Sequence, residues 1–162
     1  MANDARLRMS YEAFARAAAP VQGALAALGK AVDDAGLDKA FTELIKLRAS
    51  QINGCAFCLQ LHLNIARKLG VPGEKLDLVG VWRETDVFSP RERAALAWTE
   101  ALTDLSDEAA RAAAAAALPE HFTPDEILFL TVAIGTINQW NRIAIGLSFP
   151  PPVPKRAAPG PA

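Results

Sequence analysis

Both cysteines of the chain, and one of its two histidines, fall within the eight residues "CAFCLQLH", Cys55 to His62. On a helix turning about 100° per residue, Cys55, Cys58 and His62 share one face within about 60°. A spacing of i, i+3 brings two Cα atoms to roughly 5–6 Å, inside the range a disulfide tolerates. Only the thiolate is a good nucleophile, and a free thiol at neutral pH is mostly protonated. Unsatisfied N–H groups in a first helical turn stabilise negative charge on a sulfur there. An imidazole one turn away can accept or relay the proton. A sulfenic acid formed on one sulfur could be captured by the other. The pattern therefore suits a redox dithiol. Two other readings stay open on these residues alone. One is a pair of buried small residues beside an ordinary histidine. The other is zinc held by the two thiols, the imidazole and a carboxylate, although no fourth ligand stands at a standard spacing. His121 lies apart in the turn "PEHFTPDE" and reads as a solvated loop residue, so the expected site holds no metal.

The segments around this octet must position it, and almost all of them read as helix. From Pro20 to about Ala35, Val21, Leu25, Leu28 and Val32 recur at spacings of three and four, one buried stripe. Asp38 caps the next helix, through "FTELIKLRASQI", where Phe41, Leu44, Ile45 and Ile52 define the buried side. Glu43 falls beside that stripe, and periodicity places it as a carboxylate at the solvated edge. Asn53-Gly54 stops this helix, because glycine accepts the left-handed conformation that ends one. A further helix begins at or just before Cys55 and ends near Gly70-Val71-Pro72. A short one, "GEKLDLVGVW", follows. "SPRE" at Ser89 and "TPDE" at Thr123 each combine a hydroxyl cap, a proline in the first turn and a glutamate at the third position, the signature of a capping box. Between the helices they open, "DEAARAAAAAAL" is an alanine-rich helix, closely packed or partly exposed. The last helix, apolar on nearly every side from Ile127 to Ile134, should sit centrally. From Pro150, six of the eleven prolines crowd into thirteen residues, a flexible tail. No strand-period segment or internal repeat is present. The expected fold is all-α, a single-domain helical bundle. Its expected parts are an N-terminal helical segment (1–36), a core (37–149) and a proline-rich tail (150–162).

Composition narrows the partners. Seventeen basic and eighteen acidic residues are spread along the chain without a basic stripe, which argues against nucleic acid. The longest apolar run, "ILFLTVAIG", is too short to span a bilayer, and the N-terminus lacks the apolar core of a secretory signal. A soluble, cytoplasmic protein is expected, and in a reducing cytosol a close C-x-x-C reads as catalytic or metal-binding.

Glu43, eleven further residues, then Cys55-x-x-Cys58-x-x-x-His62 resembles the core motif of the alkylhydroperoxidase D-like proteins of the carboxymuconolactone decarboxylase superfamily. "LIKLRASQINGCAFCLQLHLNIARKLG", "WRETDVFSPRERAALAWTEAL" and "TINQWNR" are similar to that group too, so the likeness runs from about Leu37 to Gly146. The resemblance implies an all-helical fold assembling as homo-oligomers, often trimers or hexamers, with the dithiol near subunit contacts. It implies a peroxiredoxin-type peroxidase, an antioxidant enzyme acting on hydrogen peroxide or organic hydroperoxides, with an external thiol or dithiol as reductant and no cofactor. By that analogy Cys58 is the peroxidatic thiol, Cys55 resolves its sulfenic acid as a disulfide, and His62 with Glu43 forms the proton relay. The mechanics of the helix start favour the opposite order, since Cys55 lies nearer the dipole, but Cys58 is one turn from His62 and Cys55 two, so Cys58 is the expected attacking thiol. One departure is that Ala56 and Phe57 stand where some members carry a histidine. Asn138, Trp140 and Asn141 read as packing and hydrogen-bonding residues between helices. Two alternatives accompany the peroxidase: a non-enzymatic redox sensor or assembly module using the same thiols, and a lactone decarboxylase, against which the intact C-x-x-C argues.

Overall fold

The computed structural model describes residues 7–154. Among them are eight α-helices and no strand. They are α1 (Tyr11–Ala17), α2 (Ala19–Asp34), α3 (Lys39–Ile52), α4 (Ala56–Lys68), α5 (Gly73–Leu78), α6 (Pro90–Thr103), α7 (Glu108–Ala117) and α8 (Pro124–Gly146). The all-α expectation holds.

Local chemistry starts most of these helices where expected. The Asp38 carboxylate accepts the Phe41 N–H at 2.8 Å and opens α3. Ser89 and Thr123 complete both halves of their capping boxes at the starts of α6 and α8. Each such cap contributes about 1 kcal/mol. The expected short helix after Pro72 divides into α5 and a 3₁₀ segment, Val79–Glu84, kinked at Val81. The N-terminal part differs more. Helix α1 is separate from α2, and Val21 and Leu28 on α2 are exposed, so only Leu25 and Val32 of the expected stripe are buried. The tail differs as well. Its beginning is tied down, because the Asn64 side chain donates to the Pro152 carbonyl at 2.9 Å. Residues 155–162 lie outside the described residues.

Helix α3 packs against α4, α6 and α8, and α8 also touches α2, α4 and α6. These two helices form the middle of the bundle. On α8, Leu130, Ala133, Ile134, Ile137, Asn141 and Ala144 are buried at spacings of three and four, whereas Leu128 is exposed. Three apolar clusters fill the interior. The one that matters for chemistry gathers Phe14, Ala49, Phe57, Ile137, Ala144 and Phe149 around both cysteines. Its aromatic rings interlock: Phe57 meets Phe149 edge-on at 5.2 Å and stacks on Tyr11 at 5.8 Å. Such pairs add about 0.5–1.5 kcal/mol each beyond the area they bury. The N-terminal helix, the start of α4 and the segment after α8 are thus fastened together beside the sulfurs.

Candidate active site

Helix α3 ends at Ile52, and Gly54 turns the chain with φ of +67°, a conformation side chains rarely adopt. The Cys55 N–H then donates back to the Ser50 carbonyl at 3.0 Å, which seats Cys55 against the end of α3. Cys55 is not the first helical residue. It is the N-cap of α4, with extended backbone angles, and its Sγ accepts the Cys58 N–H at 3.3 Å. Capping, rather than a shared helical face, brings the two residues together. Both thiols are free and buried.

Their charges are uneven. The Cys58 thiol is the main group lowering Cys55. Burial opposes it, while the Cys58 N–H, the Asn141 amide and the Phe57 N–H assist, and Cys55 comes down to about 7. Cys58 is pushed far up, first by its contact with the Cys55 sulfur and then by burial. The reduced pair therefore holds its negative charge on Cys55 and its proton on Cys58. This distribution runs opposite to the order of reactivity implied by the resemblance.

Glu43 corrects the reading from periodicity. It is 1% exposed, one of the most deeply buried side chains in the bundle. The α3 side that periodicity assigns to the solvated edge is covered, because α4 and α8 both pack on this helix. One Glu43 oxygen meets His62 Nδ1 at 2.6 Å, and the other accepts from Lys46 Nζ at 2.8 Å. Burial pushes the Glu43 carboxyl up, but His62 and Lys46 together outweigh it and leave it below its ordinary value. Glu43 and His62, nineteen residues apart, are thus brought into contact.

Asn138 and Asn141 do bond helix to helix, as expected, and Asn141 does more. Asn53 donates to Asn138 Oδ1 at 2.9 Å and to Asn141 Oδ1 at 2.8 Å. With its oxygen so occupied, the Asn141 amide nitrogen donates to Ser50 Oγ at 3.1 Å and favours negative charge on both sulfurs. Sequence spacing offered no sign of this, since Asn141 is more than eighty residues from the cysteines. Trp140 packs its ring against Phe14 and Tyr11.

Two cavities flank the site. The larger, about 680 Å³, is lined by Cys55, Phe57, Met9, Ile145, Phe149 and Pro151 among others. The smaller, about 130 Å³, is lined by His62, Lys46, Thr136 and Trp140 among others. His121 lines neither. It lies in the turn before α8, with its carbonyl accepting from Arg91. Among the described residues no group of three His, Cys, Asp or Glu side chains is placed to hold a metal ion. No helix there is long and apolar enough to cross a membrane.

The profile of the carboxymuconolactone decarboxylase family matches residues 19–101. The chain belongs to that family. Its membership begins within α2, earlier than the Leu37 at which the resemblance by motif begins. Within the family the chain is similar to the uncharacterised protein YdfG of Bacillus subtilis, 35% identical over 73% of this chain and 80% of that one. Among solved structures, a protein of unknown function from Agrobacterium tumefaciens, proposed to be the antioxidant defence protein AhpD, superposes with a TM-score of 0.84. The two are 42% identical over 92% of this chain and all of the other. A peroxidase-related protein from Ralstonia eutropha, described as an alkylhydroperoxidase AhpD core, gives a TM-score of 0.75 at 26% identity, covering 86% of this chain and 74% of that one. The fold is AhpD-like.

Proposed function

We propose that the protein is a thiol-dependent peroxidase that reduces hydrogen peroxide or organic hydroperoxides through a Cys55–Cys58 dithiol and disulfide cycle. The observation that carries this reading is a charged, capped sulfur at the wall of a cavity, in contact with a second thiol. The Cys55 thiolate attacks the distal oxygen of the hydroperoxide. The O–O bond breaks, Cys55 becomes a sulfenic acid, and the departing alkoxide takes a proton from solvent. Cys58 now needs a base, because burial holds its proton tightly. His62, one helical turn further along α4, supplies one, and Glu43 steadies the imidazolium. The Cys58 thiolate attacks the Cys55 sulfur, hydroxide leaves, and the imidazolium returns the proton to form water. An external thiol or dithiol then restores the reduced pair, as a reducing cytosol provides.

This order reverses the one implied by the resemblance. Support comes from the resting charge on Cys55 and from its place at the larger cavity, which Cys58 does not line. Trapping the sulfenic acid with a cyclic dione separates the two. The label is expected in Cys58→Ser and absent from Cys55→Ser. The opposite result restores Cys58 as the attacking thiol. Absence of label in both variants, together with no peroxide consumption by the unmodified protein, overturns the peroxidase reading.

A further inference from the structure

Lys46 belongs to no part of the thiol chemistry described so far, yet it is bonded to the group behind the base. Its ammonium reaches Glu43 Oε1 at 2.8 Å, while Oε2 of the same carboxylate meets His62 Nδ1 at 2.6 Å. We propose that Lys46 is a positioning residue: by engaging one oxygen of Glu43 it turns the other onto His62 and fixes which imidazole nitrogen carries the hydrogen. The inference rests on the reading that His62 serves the thiol pair as a base.

The argument follows from donor counting. An ammonium has three hydrogens to give and no lone pair to accept with, so Oε1 facing Lys46 must be a bare acceptor. Any proton on Glu43 would have to sit on Oε2, against Nδ1. With that proton present, Glu43 would donate to Nδ1, the ring hydrogen would move to Nε2, and the imidazole could take no proton from a thiol. With Glu43 charged, Nδ1–H donates to Oε2 and Nε2 is left as the basic nitrogen. The Lys46 charge favours the second arrangement over the first, and it acts strongly because Glu43 is 1% exposed. Other charges nearby do not duplicate it. Asp33 of α2 lines the small cavity, but Lys39 holds it at 3.0 Å. Lys39 feels Glu43 only at a distance, and α8 contributes Ala133, Thr136, Ile137 and Trp140 to the cavity, none of them charged.

The test reads the tautomer directly. The chain has two histidines, so ¹⁵N spectra of the imidazoles are simple to assign, with His121→Asn identifying the His62 signals. In the reduced full-length protein, His62 is expected as the Nδ1–H tautomer. In Lys46→Met it should move to Nε2–H, and Lys46→Arg should restore Nδ1–H. Disulfide formation by cumene hydroperoxide should slow about tenfold or more in Lys46→Met and recover in Lys46→Arg. Lys46→Gln carries the same expectation as Lys46→Met and replaces it should that variant not fold. An Nε2–H ring in the unmodified protein, an unmoved tautomer in both neutral variants, or a moved tautomer with an unchanged oxidation rate overturns the proposal. The spectra need no peroxide. If the unmodified protein does not react with peroxide, the peroxidase reading fails while the tautomer result still stands or falls by itself.

Discussion

Replacing Cys58 by alanine and by serine separates the source of the Cys55 charge from its consequence. Cys55 lies at about 7 against an ordinary 9.0. That difference corresponds to roughly 3 kcal/mol in favour of the thiolate. At pH 7 about half of the Cys55 population is then ionised, against about one per cent for a thiol at its ordinary value. The leading cause is the Cys58 thiol, whereas the Cys58 N–H belongs to the backbone and survives substitution. Alanine deletes the thiol donor, and serine keeps a hydroxyl hydrogen in nearly the same place. Each variant has one cysteine left, so the rate of alkylation by iodoacetamide between about pH 5 and 10 reports Cys55 alone. In Cys58→Ala the midpoint should rise toward 9.0, with labelling at pH 7 slower by about tenfold or more. Cys58→Ser should stay closer to the unmodified protein. A midpoint still near 7 in Cys58→Ala would refute the reasoning, because the neighbouring thiol would not be what holds the charge.

Glu43→Gln removes a buried charge that is paired with the Lys46 ammonium and hydrogen-bonded to His62, at a cost of about 3–5 kcal/mol near neutral pH. Because Glu43 lies below its ordinary 4.5 when folded, its contribution is complete above that value and disappears as pH falls through the folded one. Thermal melts should therefore show the two proteins diverging near pH 7 and converging only as pH falls below 4.5, while a constant gap would contradict this. Asn53→Ala leaves the Asn141 oxygen buried without its donor, costing roughly 2 kcal/mol or about 6 °C in melting temperature by calorimetry. It should also raise the Cys55 midpoint, since Asn141 is then free to rotate away from the sulfurs.

The helix starts were legible because each depends on a few adjacent residues. Asp38, Ser89 and Thr123 cap what their own sequences say they cap. The contact between Cys55 and Cys58 was legible for the same reason, both lying within one short stretch. Glu43 was not, because its burial is decided by α4 and α8, and a period count on α3 carries no information about what covers that side. Only the resemblance pointed to it. The charge on Cys55 was half legible. Its place at the helix start was visible, but its role as the cap, with sulfur rather than backbone geometry joining it to Cys58, depends on the turn at Gly54. Asn141 and Lys46 were missed as partners of the site. Asn141 reaches the sulfurs across the bundle, and Lys46, though three residues from Glu43 on one helix, gave no sign of a role while Glu43 itself read as a solvated carboxylate.

The most direct test of the redox account is a count of free thiols in the denatured protein before and after one equivalent of hydrogen peroxide. Two thiols per chain should fall to none, returning to two on treatment with a dithiol and without any intermolecular crosslink. Two thiols remaining after peroxide exposure, on a timescale of minutes, would contradict it.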